Sequence, residues 1–115
     1  MGPVQIVNHR PPPVYPNPVP VPLRRVGLGN WNGSLAAFDV PSNATISEVI
    51  LHEESGVSAS FANLAHNDAW HGFDVTGPDT TTAAFNGMTA VGSWALNVTG
   101  TGLTDTGFGL AVFLH

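Results

Sequence analysis

The sequence predicts an all-β fold: an antiparallel β-sandwich preceded by an extended, proline-rich N-terminal arm. Three observations carry that expectation. Eight of the ten prolines lie between Pro3 and Pro22. From Val26 onward, short apolar runs recur about every ten residues with turn residues between them. No segment keeps a helical period over three turns.

The arm comes first. The stretch from Pro11 through Pro22 excludes a helix and a central strand, because proline lacks the backbone donor and fixes φ. Residues that precede proline are pushed towards β or polyproline II. At ~3.1 Å per residue such a segment reaches about 35–40 Å. The expected division is therefore an arm over residues 1–25 and a sandwich over 26–115.

Strands are expected near residues 34–40, 45–52, 57–62, 70–76, 80–85, 93–99 and 108–114. The clearest runs from Ser93 to Thr99: Trp94, Leu96 and Val98 share one face, and Ser93, Asn97 and Thr99 the other. Trp94 is thus expected between the sheets. In the last run Phe108, Leu110, Val112 and Leu114 share a face, while Ala111 and Phe113 populate the other. Residues 45–51 are β-branched enough to read as strand. Turns are expected at Asn32-Gly33, Pro41-Ser42-Asn43, Gly77-Pro78-Asp79, Asn86-Gly87 and Gly100-Thr101-Gly102.

Composition narrows the function classes. The chain has 115 residues, 12.0 kDa and net charge −5, with 43% hydrophobic but only 10% charged residues. That charge content is far below the usual quarter and argues against both a helical bundle and a disordered chain. There is no Cys, so disulfides, thiolate metal sites and Cys nucleophiles are excluded. Without such staples, stability is expected from an intracellular setting or from assembly. No secretory leader and no run long enough to span a bilayer are evident.

Charge is segregated. Arg10, Arg24 and Arg25 are the only cations, and all eight carboxylates follow them, from Asp39 to Asp105. Such asymmetry marks an interaction tail. The expected partner contacts of the arm are Arg10, Tyr15, Val19, Val21, Leu23, Arg24 and Arg25. Three arginines without a basic face do not suit nucleic acid, and no membrane partner is expected.

Residues 66–74 hold His66, Asp68, His71 and Asp74 in a spacing that fits no metal or acid–base motif, and are expected to be a polar loop running into a strand. His52-Glu53-Glu54 reads as a solvated turn. No Gly-x-Ser-x-Gly elbow exists. Three Asn-x-Ser/Thr sequons, at Asn32, Asn43 and Asn97, follow from a Ser/Thr-rich composition. Trp31, beside the expected Asn32-Gly33 turn, is the tryptophan expected to be exposed. With His66, Asp68 and His71 it would form the site of a carbohydrate- or small-ligand-binding module.

The segment Phe85-Asn86-Gly87 followed by Gly92-Ser93-Trp94-Ala95-Leu96-Asn97-Val98 resembles the P domain of subtilisin-like proprotein convertases. That family shows Phe-x-Gly and then Gly-x-Trp-x-Leu-x-Val at this spacing. Asp105-Thr106-Gly107 matches the family's second aspartate, while Gly100 stands where it has the first. The resemblance spans residues 35–114 and is specific over the last thirty. It implies a jelly-roll-like sandwich. With one aspartate replaced by Gly100, neither a metal nor a cofactor is expected, since calcium takes about six to eight oxygens.

The whole architecture, a small acidic β-domain carried on a basic proline-rich arm with no catalytic signature, resembles the decoration or cement proteins of tailed-phage capsids. This resemblance implies a non-enzymatic structural attachment protein on the virion capsid exterior. Its expected partners are a major capsid protein or another large assembly, together with sister copies in a symmetric oligomer such as a trimer.

Overall fold

The computed structural model describes residues 18–54, 60–100 and 107–115. Among them the chain forms nine strands and no helix: β1 (Val19–Val21), β2 (Leu23–Gly27), β3 (Asn30–Leu35), β4 (Ile46–Glu53), β5 (Ser60–His66), β6 (Ala69–Val75), β7 (Asp79–Thr82), β8 (Gly92–Gly100) and β9 (Phe108–Leu114). They make two sheets. One has the order β1-β9-β4-β7 and the other β2-β3-β8-β5-β6, and every pairing is antiparallel.

The core lies between the sheets and follows period-two alternation. The four-stranded sheet contributes Val49 and Leu51 from β4 and Leu110 and Val112 from β9. The five-stranded sheet contributes Leu35 from β3, Ala62 and Leu64 from β5, and Trp94, Leu96 and Val98 from β8. Trp94 is 2% exposed, as its alternation requires. Its ring stacks on His66 with centroids 4.0 Å apart, and Phe85 meets it edge-on at 5.5 Å. Glu53 continues the inward series Val49, Leu51, Glu53 and is buried. This corrects the solvated-turn reading at that position: the strand runs one residue further than expected.

The expected arm boundary at residue 25 also moves. Val19, Pro20 and Val21 pair with Val112, Ala111 and Leu110, and Leu23, Arg24 and Arg25 pair with Gly33, Asn32 and Trp31. Residues 19–27 therefore belong to the sandwich. Proline is tolerated because β1 is an edge strand, with β9 as its one neighbour. Val19 and Val21 turn their side chains to the core while Pro20 is exposed. The same alternation puts the donorless nitrogen of Pro20 on the free side, away from β9. Pro22 is the corner at which the chain leaves one sheet for the other.

That corner explains Asn32-Gly33, the expected turn that is instead mid-strand. A Cβ on Gly33 would collide with the Pro22 carbonyl, so a glycine is required where the corner presses on β3. The turn of this hairpin falls at Leu28-Gly29, just upstream. Expected strand 34–40 is displaced with it: β3 ends at Leu35, and residues 36–40 form a turn in which the Asp39 carboxylate accepts from the Ala36 N–H at 2.7 Å.

Candidate functional site

The five-stranded sheet turns one face to the core and leaves the other open. Register fixes what the open face displays. One row crosses all five strands as Arg24, Asn32, Ala95, Ala65 and Trp70. The next runs Asn30, Asn97, Asn63 and Gly72, in which Asn97 Nδ2 donates to Asn30 Oδ1 at 2.9 Å. A third runs Thr99, Phe61 and Asp74. The floor is thus small or amide-bearing, and the large side chains stand along β5 and β6.

Trp70 is 55% exposed and Phe61 40%. Burying either in the core would demand the opposite parity, since Ala62 and Leu64 on β5 and Val75 on β6 take the inward positions. The Phe61 ring lies across Gly72, where a Cβ would come within 2.6 Å of it. Glycine at position 72 therefore lets the ring lie over β6 beside Trp70. Between Trp70 and β3 the face dips into an open depression of about 290 Å³, floored by Ala65 and Ala95 and rimmed by Asn32, Asp68, Trp70 and Ser93.

Asp68 is positioned by the β5–β6 hairpin. Asn67 and Asp68 both have positive φ, 48° and 68°, the two-residue turn that suits right-twisted strands. Asn and Asp tolerate that backbone better than other non-glycine residues. The Asn67 side chain is consumed locally: Oδ1 accepts from the Ser93 N–H at 3.0 Å, and Nδ2 donates to the Val91 carbonyl at 3.4 Å. The exposed carboxylate of Asp68 is left facing solvent at the end of β6, and Asp74 is exposed near the other end. Aromatic surface flanked by carboxylates is the character of this edge; Arg24 stands at the opposite edge of the same face.

The expected ligand set is divided by this geometry. Asp68 and His71 are exposed, but they lie on different faces: Asp68 at the open-face rim, His71 with its ring edge-on to Phe85 at 4.9 Å. Trp31 is 5% exposed, packed edge-on against Phe108 at 5.0 Å. It shares inward parity with Leu35, and Gly33 between them hides that alternation in the sequence. His66 is completely buried. Its Nδ1 lies 3.0 Å from the Ser93 carbonyl oxygen and its Nε2 2.6 Å from that of Thr89, so both ring nitrogens are engaged by backbone. Neither Trp31 nor His66 can meet a ligand at the surface. Trp70, Phe61 and Asn32 take that place; the parity of residues 69–75 was the available signal.

The expected arm contacts divide as well. Arg10 and Tyr15 lie outside the described residues. Val21 is buried, and Val19 and Leu23 pack against the core; these three hold the strand to the body and are not free for a partner. Arg24 is exposed on the open face. Arg25 has its guanidinium 5.9 Å from the Trp31 ring centroid, and its Nε donates to the Gly27 carbonyl at 3.4 Å.

One titratable pair stands apart, at the end of the four-stranded sheet. His52 and Asp79 are register partners on β4 and β7, with Nδ1 and Oδ1 2.7 Å apart, both more than half exposed. The hydrogen bond to Asp79 raises the His52 pKa above 6.5; burial opposes this, and the charges of Asp79, Glu54 and Glu53 add to it. Among the described residues, no group of three or more His, Asp or Glu could hold a metal. Compared with known proteins, the chain matches no family model, no curated protein and no solved structure.

Proposed function

We propose that this chain is a non-enzymatic attachment protein that decorates a large shell, with a tailed-phage capsid as its setting, and that its proline-rich N-terminal segment is the tether. The observation that carries the reading is how that segment joins the body. β1 is stitched into one sheet and β2 into the other, with Pro22 at the corner. A tether fixed to both sheets transmits a pull to the whole sandwich. The strand order supports a jelly-roll reading as well: β1-β9-β4-β7 opposes β3-β8-β5-β6, with β2 as an added edge strand, the arrangement of two Greek keys. This is the fold that the P-domain resemblance implies.

The test is cosedimentation with shells purified from the virus that carries the coding sequence of this chain and stripped of the protein. The cut must fall before Pro18, because removal of residues 1–25 would take β1 and three of the five residues of β2 with it. The full chain is expected to pellet with the shells and the chain starting at Pro18 to stay in the supernatant. Undiminished pelleting of the shortened chain overturns the tether.

A further inference from the structure

We infer that the aromatic edge of the open face is the receptor for the proline-rich arm of a second copy of this chain. This deepens and rests on the attachment reading: it names the sister copy as a partner of the tether.

The arm carries a three-residue spacing. Arg10, Pro13 and Pro16 recur every third residue within Arg10-Pro11-Pro12-Pro13-Val14-Tyr15-Pro16. A polyproline II segment has three residues per turn and rises ~3.1 Å per residue, so in that conformation these residues would share one ridge about 9 Å apart. Proline ridges are bound by exposed aromatic surfaces, to which they bring little conformational entropy to lose, and a flanking arginine by a carboxylate.

The open face supplies the complement. Trp70 and the Phe61 ring over Gly72 are two residues apart along β6, about 7 Å. That spacing is within about 2 Å of the ridge repeat, a difference that ring tilt takes up, so two successive prolines can meet the two rings. Asp68 beyond one end and Asp74 beyond the other offer a carboxylate to Arg10 in either chain direction. Arg10 is the cation of this proline-rich segment and the receptor edge carries two carboxylates, so the charges attract.

Reach decides which copy is bound. Pro16 lies two residues before Pro18, a span of at most about 7 Å. β1, which follows, packs against β3 in the other sheet. From β3, the receptor on β6 is three strand intervals away, about 14 Å, and on the far side of a sheet some 10 Å distant. A chain cannot seat Pro16 on its own Trp70. The contact is therefore between copies and head-to-tail, the kind that closes into a ring or extends. A ring of copies would also engage a symmetric shell many times at once, which multiplies weak contacts.

Sedimentation velocity of the full chain over a concentration series, without any shell, tests this apart from the tether assay. The full chain is expected to exceed its 12.0 kDa monomer. Acrylamide quenching of Trp70, the exposed tryptophan beside the buried Trp31 and Trp94, is expected to fall as association rises. Trp70→Ala, and separately the double variant Pro13→Ala with Pro16→Ala, should each weaken association at least tenfold. An equimolar mixture of the two variants should restore one interface, giving a heterodimer that extends no further. A monomeric full chain, wild-type association by either variant, or no heterodimer in the mixture would each overturn the inference. Trp70 is exposed, so loss through misfolding is excluded by an unchanged melting curve of its variant.

Discussion

The two sheets share a core and differ in what they turn outward. On the four-stranded sheet the outer row is Pro20, Ala111, Ile50 and Thr81, and beyond it Gly109, His52 and Asp79. His52 and Asp79 answer each other within that face, and Glu48 stands exposed further along β4. On the five-stranded sheet the outer rows are Asn, Ala and Gly, with aromatic rings and carboxylates gathered on one edge and Arg24 on the other. There the opposite charges stand four strands apart and cannot meet within one molecule. The two faces thus differ in layout: one joins a histidine to a carboxylate across neighbouring strands, and the other holds its opposite charges on separate edges.

Breaking what the faces share gives the largest effect. Trp94 is buried against His66 and Phe85, and Trp94→Ala should cost ~3–5 kcal/mol, most of a small domain's stability. Denaturant titration should register that loss; a near-native midpoint would mean that the sheet faces are assigned the wrong way. Trp94→Phe keeps a ring and discards an indole N–H that has no hydrogen-bond partner, so it should lose much less.

Gly33→Ala comes next. The added methyl meets the Pro22 carbonyl and must push the corner off β3, at about 1–3 kcal/mol. Hydrogen exchange should show the loss of protection concentrated in β1 and β2. Uniform weakening across all strands would count against the corner as the local cause.

Trp70→Ala probes the open face of the five-stranded sheet. Trp70 is over half exposed, so its loss should change stability by less than about 0.5 kcal/mol while removing self-association. A large drop in melting temperature would show that Trp70 belongs to the fold and not to a contact.

The smallest effect belongs to the four-stranded sheet. The folded pKa of His52 is raised above 6.5, so its pairing with Asp79 is fully present below the unfolded value and fades as pH rises through the folded one. Melting temperature should fall slightly over that window in the parent, and the step should shrink in Asp79→Asn, where only the charges of Glu54 and Glu53 still act on His52. Both side chains are exposed and salt should mask the difference.

Much of the fold is written in alternation. β9 coincides with its expected span, and β8 and β4 lie within a residue of theirs: β8 and β9 carry an unbroken period-two series, and β4 carries one from Val49 to Glu53, past a register shift between Ile46 and Glu48. β1 and β2 were hidden, since proline reads as an argument against a sheet although an edge strand accepts it. The candidate site was half legible. Asp68 stood out as a polar turn residue, but the exchange of Trp31 for Trp70 was not visible. Gly33 interrupts the apolar series that would have marked Trp31 as inward, and Asn32-Gly33 imitates a turn whose real position is Leu28-Gly29. His66 closes the inward series of Ala62 and Leu64, yet its place in a His- and Asp-rich stretch suggested a loop.

The prolines of β1 have one more consequence. An exposed strand edge is a template on which a foreign strand can crystallise, and a crowded assembly multiplies that hazard. Pro18, Pro20 and Pro22 alternate with Val19 and Val21, so nitrogens without hydrogen recur on the outward side of this strand. A would-be neighbour finds acceptors there but no donors. The first sheet is terminated at that border as a selvage ends a cloth, and fibrous growth from it has no grip.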